Sequence, residues 1–413
     1  MGFTVTKISE ERVRPAGPTP SGSLPLAWVD RYPTHRGLVE SMHIFTKATE
    51  PARVIKEALA KALVFYYPLA GRIVEPVQGE PAIDCTADGV YFVEAEANCS
   101  LEEVNYLERP LMLSKDELVP YPSKEDWEIE PANTIMMMQI TTFTCGGFVM
   151  GLRFNHASAD GLGSAQFITA VGDLARGLPE PAVEPVWARE TFPNPAVRPG
   201  PLPELPVLAL DYIVLDLPGD YISRLKSQYL EHRGRHCSGF DVVVAKLWQC
   251  RTRALALAAD SPVKLCFFAS VRHLLKLERG YYGNSIFPVK MSAASGRIAA
   301  AGLMEVVDMI RDAKRRMAGE FLEFAKGEVA ADPFQMTFNY ESVYVSDWSK
   351  LGFAEVDYGW GPPKVVGPLV NNDFIASCVI LKAPVPLDGA RMLASCVTKQ
   401  HSHEFLRGMK DLE

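Results

Sequence analysis

The residues best suited to chemistry stand in one stretch, Phe154-Asn155-His156-Ala157-Ser158-Ala159-Asp160-Gly161. An unperturbed imidazole titrates close to neutral pH, so His156 can take a proton from a weak nucleophile such as an alcohol. Asp160, four residues on, could orient that base or shape the loop that carries it. Further along, Ser238 precedes a long apolar run and has the character of a helix N-cap. Other chemistries lack their signatures. There is no Gly-x-Ser-x-Gly elbow of a serine hydrolase, no phosphate-binding P-loop and no Gly-x-Gly-x-x-Gly fingerprint. His401-Ser402-His403 lies in a polar, helical C-terminal segment and reads as a solvated face, so no metal site is expected.

Several elements must hold these side chains. Residues 135–144 and 148–154 are apolar and β-prone, with Cys145-Gly146-Gly147 between them as a hairpin turn. His156 therefore leaves a strand end, and Gly161 and Gly163 are expected to give the backbone freedom to turn. Helical spacing follows over 164–176, with Phe167, Ala170, Val171 and Leu174 on one face. Upstream, a helix over 54–65 must stop before Pro68, in Tyr66-Tyr67-Pro68-Leu69-Ala70-Gly71-Arg72. A short helix is predicted over 101–106. Prolines crowd residues 179–206 and mark a crossover. Strands are predicted over 212–217, 265–271, 343–348, 377–382 and 392–397. Helices are predicted over 222–229, from Ser238 through Trp248, and within 299–328.

The chain has 413 residues, enough for two domains, and 48% of them are hydrophobic. A net charge of -8 argues against non-specific nucleic-acid binding. The eight cysteines form no Cys-x-x-Cys pair and suit buried thiols in a reducing compartment. No signal-peptide pattern opens the chain and no apolar run has membrane-spanning length. A cytoplasmic enzyme that contacts neither membrane nor nucleic acid is expected.

Five stretches, taken in order, resemble the motifs of the BAHD acyltransferases, plant enzymes that acylate alcohols and amines from CoA thioesters. They are Tyr67 to Arg72, His156 to Gly161, Ser238 to Trp248, Tyr281-Tyr282-Gly283-Asn284, and Asp357-Tyr358-Gly359-Trp360-Gly361, where Tyr358 replaces the family's phenylalanine. The resemblance implies an α/β fold of two similar chloramphenicol-acetyltransferase-like domains, with mixed sheets flanked by helices and a channel between them. The expected blocks are 1–178 carrying His156, a proline-rich crossover 179–211, and 212–413. The resemblance also implies roles. His156 is the general base, and Trp348 offers an indole N–H to the oxyanion. Asp160 pairs with Arg272 on the other domain's strand and, with Gly161, keeps the His156 loop in shape. Asp357, Gly359 and Trp360 support the site, and Ser238 lies near the CoA pantetheine or phosphates. Acyl-CoA is then a co-substrate, with no permanently bound cofactor, and the enzyme a monomer. General similarity is greatest to grass p-coumaroyl-CoA monolignol transferases, which implies a hydroxycinnamoyl donor and a phenylpropanoid alcohol. The sequence has no arginine from Met317 to Ala390, where relatives that acylate shikimate or quinate hold the acceptor's carboxylate. A neutral aromatic alcohol is expected unless an arginine of the other half, such as Arg36 or Arg189, supplies that contact. Alternatives are a benzyl or aliphatic alcohol acyltransferase using benzoyl- or acetyl-CoA, and a silent binding protein of the same fold.

Overall fold

The computed structural model describes residues 2–122, 133–196, 203–329, 331–369 and 373–412, so part of the proline-rich crossover lies outside the described residues. The chain folds as two compact units. The first comprises Met1–Asn194, Leu275–Ser285 and Leu351–Val370, and the second Pro195–Leu274, Ile286–Lys350 and Asn371–Glu413. The two short stretches that join the first unit come from the C-terminal half of the sequence. The consecutive blocks expected above assign them to the second domain. Backbone pairing and hydrogen bonds described below tie both to the first.

In the first unit a six-stranded mixed sheet runs in the order Val5–Val13, Val90–Ala97, Met136–Thr142, Phe148–Asn155, Leu38–Phe45, Val365–Pro368. Only Val90–Ala97 and Met136–Thr142 pair in parallel. Met136–Thr142 is central, and its sequence MMMQITT is buried almost throughout. Val5–Val13 is an edge strand whose exposed Lys7, Glu10 and Glu11 protect it from further pairing. Those charges also hide it from hydrophobic periodicity. Helices Pro51–Phe65 and Gly161–Ala175 pack on each other. After Phe65 the chain makes a 3-10 turn at Tyr67–Ala70 and enters the strand Arg72–Val77.

The second unit holds another six-stranded mixed sheet, in the order Ile286–Ala294, Pro262–Ser270, Ser342–Asp347, Ser377–Lys382, Gly389–Thr398, Leu210–Pro218. Its central helix, Gly239–Leu255, is buried along nearly its whole length, Trp248 and Arg251 included. Helices Leu303–Lys326 and Lys399–Lys410 pack against it. The α/β architecture with mixed sheets and flanking helices is therefore as expected.

One element differs. The helix predicted over 101–106 is a turn followed by a 3-10 segment, Asn105–Leu107. Ser100 and Glu103 form the reciprocal N–H bonds of a helix start, at 2.7 and 3.2 Å. Asn105, Tyr106 and Leu107 then take φ of 47, 50 and 56°, which no right-handed helix can continue. Leu101, Val104 and Leu107 enter the core, so the apolar spacing that suggested a helix reflects burial instead.

Candidate active site

His156 leaves the strand Phe148–Asn155, as the sequence predicts. Asn155 organises the turn. Its side-chain oxygen accepts from Ala157 N–H at 3.1 Å, and its backbone oxygen accepts from Ser158 N–H and Oγ at 3.0 and 2.7 Å. His156 N–H donates to Gly37 O at 3.1 Å. The His156 carbonyl accepts from Asn284 Nδ2 at 2.6 Å, and the same amide nitrogen donates to Asp30 Oδ1 at 2.8 Å. Burial lowers the His156 pKa, with its own backbone carbonyl and the Asp160 carboxylate acting the other way. The ring is thus neutral at neutral pH and can accept a proton.

Asp160 caps the helix Gly161–Ala175, its Oδ1 accepting from Gly163 N–H at 3.0 Å. Its Oδ2 accepts from Ser285 N–H at 3.1 Å, so the cap also fastens the loop to the Tyr281–Ser285 stretch. Gly161 and Gly163 serve a purpose other than the expected backbone freedom, since both lie in the helix. A Cβ on Gly163 would stand 1.9 Å from the Tyr282 carbonyl oxygen, and one on Gly161 would stand 2.5 Å from Leu351 Cδ1. Close approach to backbone, not φ, requires glycine at 163, whereas at 161 the neighbour is the end of a flexible side chain.

Beneath the loop lies a buried polar network. Arg189, 2% exposed, donates to Ser158 O at 2.7 Å and Trp187 O at 3.0 Å, and stands 3.6 Å from Asp30. Its guanidinium stacks on Trp187, Tyr281 and Tyr282 at 4.1, 5.3 and 5.0 Å. Burial pushes the Asp30 carboxyl up to about 6, against the opposing charge of Arg189. Gly283 leaves room for this guanidinium, which a Cβ would meet at 2.2 Å. Sequence reading missed Asp30, Asn284 and Arg189 as supports of the loop. The available signals were a charge set among aromatic residues, at Asp30 near Trp28 and Arg189 near Trp187, and the place of Asn284 in the Tyr281–Asn284 motif.

The far end of the helix Gly161–Ala175 holds the glycine-rich loop. Arg176 donates to the Asp357 carbonyl and to Asp173 Oδ1. Asp357 Oδ1 accepts from Gly359 and Gly361 N–H at 2.7 and 2.8 Å, and both glycines have positive φ, 107 and 92°. Trp360 packs edge-on against Phe148 at 5.8 Å, and Tyr358 donates to Met150 Sδ at 3.4 Å. A Cβ on Gly172 would stand 2.6 Å from the Asp357 carbonyl oxygen, so the loop packs against the last turns of this helix, away from the end that follows His156. Three of the five sequence motifs meet around this one helix, and the ring of Tyr66, just before a fourth, packs on Tyr282 at 5.0 Å.

Trp348, Arg272 and Ser238 belong to the second unit. Trp348 continues the strand Ser342–Asp347, its backbone N–H donating to Ile380 O at 2.8 Å. Its half-exposed indole N–H donates to Ser346 Oγ at 3.2 Å. Arg272 opens a single helical turn after the strand Pro262–Ser270. Ser238 forms a capping box with Asp241. His401 lies on the helix Lys399–Lys410 with its Nδ1 2.8 Å from the Tyr340 hydroxyl. Among the described residues no group of three or more His, Cys, Asp or Glu side chains could hold a metal, and no helix is long and apolar enough to cross a membrane.

The chain matches the model of the Transferase family over residues 3–411. It is 74% identical over 410 residues to acyl transferase 9 of Oryza sativa subsp. japonica, covering 99% of this chain and 98% of that relative. It is 39% identical to myricetin 3-O-glucosyl 1,2-rhamnoside 6'-O-caffeoyltransferase AT2 of Crocosmia x crocosmiiflora, with 100% of each chain covered. Among solved structures, vinorine synthase superposes with a TM-score of 0.76 at 21% identity, covering 97% of this chain and 96% of that one. At that identity the superposition bears on the fold.

Proposed function

This chain belongs to the BAHD transferases, a family of acyl-CoA-dependent acyltransferases, and within it we propose that the enzyme moves a hydroxycinnamoyl group, p-coumaroyl, from its CoA thioester to the primary hydroxyl of a phenylpropanoid alcohol such as a monolignol. The observation that carries the catalytic half of this reading is His156, neutral and held at a strand end by Gly37 and Asn284. As the alcohol oxygen attacks the thioester carbonyl, His156 takes its proton and the C–O bond forms. The resulting oxyanion needs a donor, and the Trp348 indole N–H is assigned that role, exchanging Ser346 Oγ for the oxyanion. Collapse breaks the C–S bond, and the CoA thiolate leaves with the proton held by His156. The step needs no covalent enzyme intermediate. Asp160, Gly161 and Arg272 are assigned to the shape of the His156 loop. Asp357, Gly359 and Trp360 support it from the other end of the helix.

The donor assignment draws on a relative named as a caffeoyltransferase. The acceptor assignment draws on charge. A carboxylate acceptor would be met best by a guanidinium fork. The stretch from Met317 to Ala390 has no arginine. Arg189 is buried and committed to Ser158, Trp187 and Asp30. Arg36 donates to Asn133 and stands 3.7 Å from Glu75. Drawing a carboxylate in without such a partner is unfavourable. As part of the same proposal the enzyme works as a cytoplasmic monomer.

A competition assay tests the acceptor: one hydroxycinnamoyl-CoA with equal shikimate and coniferyl alcohol. The coniferyl ester is expected. A dominant shikimate ester overturns the acceptor assignment and leaves acyl transfer standing. Thiol release without any alcohol would indicate a hydrolase, and none with either alcohol a silent binding protein.

A further inference from the structure

His156 lacks the orienting partner that a catalytic imidazole usually has. Its Nδ1 is buried, and among the described residues it meets no hydrogen-bond partner. Its own carbonyl and the Asn284 side chain both favour the charged form, but neither meets Nδ1 in hydrogen-bonding geometry. In hydrolytic triads a carboxylate on that nitrogen fixes both tautomer and ring plane. Here the flat face of another ring lies against it. The His35 ring stacks on His156 at 5.0 Å between centroids and 18° between planes.

His35 is itself well fixed. It sits in the 3-10 turn Pro33–Arg36, 7% exposed, with its N–H donating to Tyr32 O at 2.8 Å. Its Nδ1 lies 2.7 Å from the Val29 carbonyl oxygen. A carbonyl only accepts, so Nδ1 carries the hydrogen and the tautomer is set. Gly37, two residues on, accepts from His156 N–H. One short loop thus holds both the ring and the backbone of the base.

We propose that His35 is a positioning residue: it fixes the ring plane of His156 and, by remaining neutral, leaves the acceptor's proton to His156 alone. The proposal rests on the reading of His156 as general base. Burial, with His156 adding to it, pushes the His35 pKa down to about 3, against the Val29 carbonyl and the Asp160 charge. Among the described residues, the network beneath the loop also holds the charged groups Asp30 and Arg189, which stand 3.6 Å apart. Neither titrates His35 into the working range. A ring that stays neutral can face an imidazolium during turnover without repelling it.

Two variants split the two properties of the side chain. His35→Phe keeps a flat ring and loses the N–H donor. His35→Asn keeps a donor close to the Nδ1 position and loses the ring face. His35→Phe is expected to hold kcat within about threefold of the parent, and His35→Asn to lose ~10²-fold in kcat with little change in KM, because the base is misplaced. Water reaching His156 in His35→Asn relieves the burial that lowers its pKa. The acid limb of kcat/KM therefore moves to higher pH in that variant and stays put in His35→Phe. Equal damage by both variants with an unmoved acid limb, or full activity in both, overturns the proposal. The unmodified enzyme supplies a check independent of folding: nitrogen-15 histidine spectra should show His35 neutral and Nδ1-protonated from about pH 5 to 8, a range in which an ordinary histidine titrates. Titration of His35 within that range also overturns it. His156→Ala tests the underlying reading separately. If that variant keeps its turnover, the base assignment fails, whatever the spectra say of His35.

Discussion

Two long helices, one in each unit, begin with the same local device and use it differently. Gly161–Ala175 starts at Asp160 and Gly239–Leu255 at Ser238, and both caps have extended backbone and a side chain that accepts from the third helical N–H. Ser238 closes on its own helix: Asp241 returns a carboxylate to Ser238 N–H at 2.9 Å. Lys314 and Arg311 then pair with Asp241, at 2.9 and 3.6 Å. Burial pushes the Asp241 pKa up, but the Ser238 N–H and the Lys314 ammonium outweigh it and hold it below the ordinary carboxylate range. Asp160 instead divides its two oxygens between its helix and Ser285. A cap confined to its helix sets where that helix begins. A cap shared with a second segment also fixes the loop before it, and that loop carries His156.

The largest effect expected from breaking this contrast is at the loop itself. His156→Ala should lower turnover by ~10²–10⁴-fold with the unfolding midpoint unchanged. Steady-state kinetics beside a thermal melt would show it. A folded variant of near-normal activity removes His156 from the mechanism.

Next comes the shared cap. Asp160→Asn keeps an acceptor but loses the charge, so stability and activity should fall together. If Arg272 is the charge partner that the family likeness implies, breaking the pair costs ~3–5 kcal/mol. The double variant with Arg272→Gln should then cost less than the sum of the singles, by more than ~0.5 kcal/mol in denaturant unfolding. Strict additivity would leave Gly163 and Ser285 as the partners that explain Asp160.

The polar interior of the first unit should also make stability depend on pH. Burial holds His35 and His43 down to about 3. The unfolded chain therefore binds these two protons first on acidification, and their contribution is full above about 6.5 and lost as pH falls toward 3. Asp30, raised to about 6, acts oppositely, because its folded form holds a proton longer than the unfolded form. His43→Leu removes one of these histidine contributions. Its stability should fall less steeply between pH 6.5 and 4 than the parent's, by about 1.4 kcal/mol per pH unit. Parallel slopes would show that His43 titrates normally.

These contrasts also mark what the sequence could reveal. The strand ahead of His156, the Ser238 cap and the helix through Trp248 were legible because periodicity and capping are local. Strand Val5–Val13 was not, since an edge strand with charged outer residues lacks an apolar alternation. Val365–Pro368 was not, because four residues beside glycine and proline carry little pattern, and its partner Leu38–Phe45 lies more than three hundred residues earlier. The helix predicted at 101–106 failed because a capping box and apolar spacing also describe a buried single turn. At the site, His156 and Asp160 stood out as a motif, and Asn284 stood in another whose role the sequence did not show. His35, Asp30 and Arg189 did not stand out, since a buried polar network joins residues by distance in space and leaves no spacing to read.

The smallest effect sharpens the comparison at Ser238, which is half-buried and suits two roles. As a cap alone, its loss should cost about 1 kcal/mol, the usual value for removing an N-cap hydroxyl. The Asp241 N–H would lose its acceptor, but Asp241 would keep its bond to the backbone of residue 238 and its pairs with Lys314 and Arg311. KM for acyl-CoA would then be unchanged in Ser238→Ala. As a contact to CoA, the same hydroxyl would contribute to substrate binding, and its removal would raise KM for acyl-CoA while leaving KM for the alcohol alone. The capping bond from Asp241 N–H at 3.1 Å uses one lone pair of the hydroxyl oxygen, and its proton remains available to a phosphate or carbonyl oxygen. The two roles are therefore compatible, and the kinetic split decides between a shared cap in both units and a shared cap in the first unit only. An unchanged KM for acyl-CoA together with the expected loss of stability assigns Ser238 to its helix. A raised KM at equal stability assigns it to CoA, and the device at the two helix starts would then serve the active site in both.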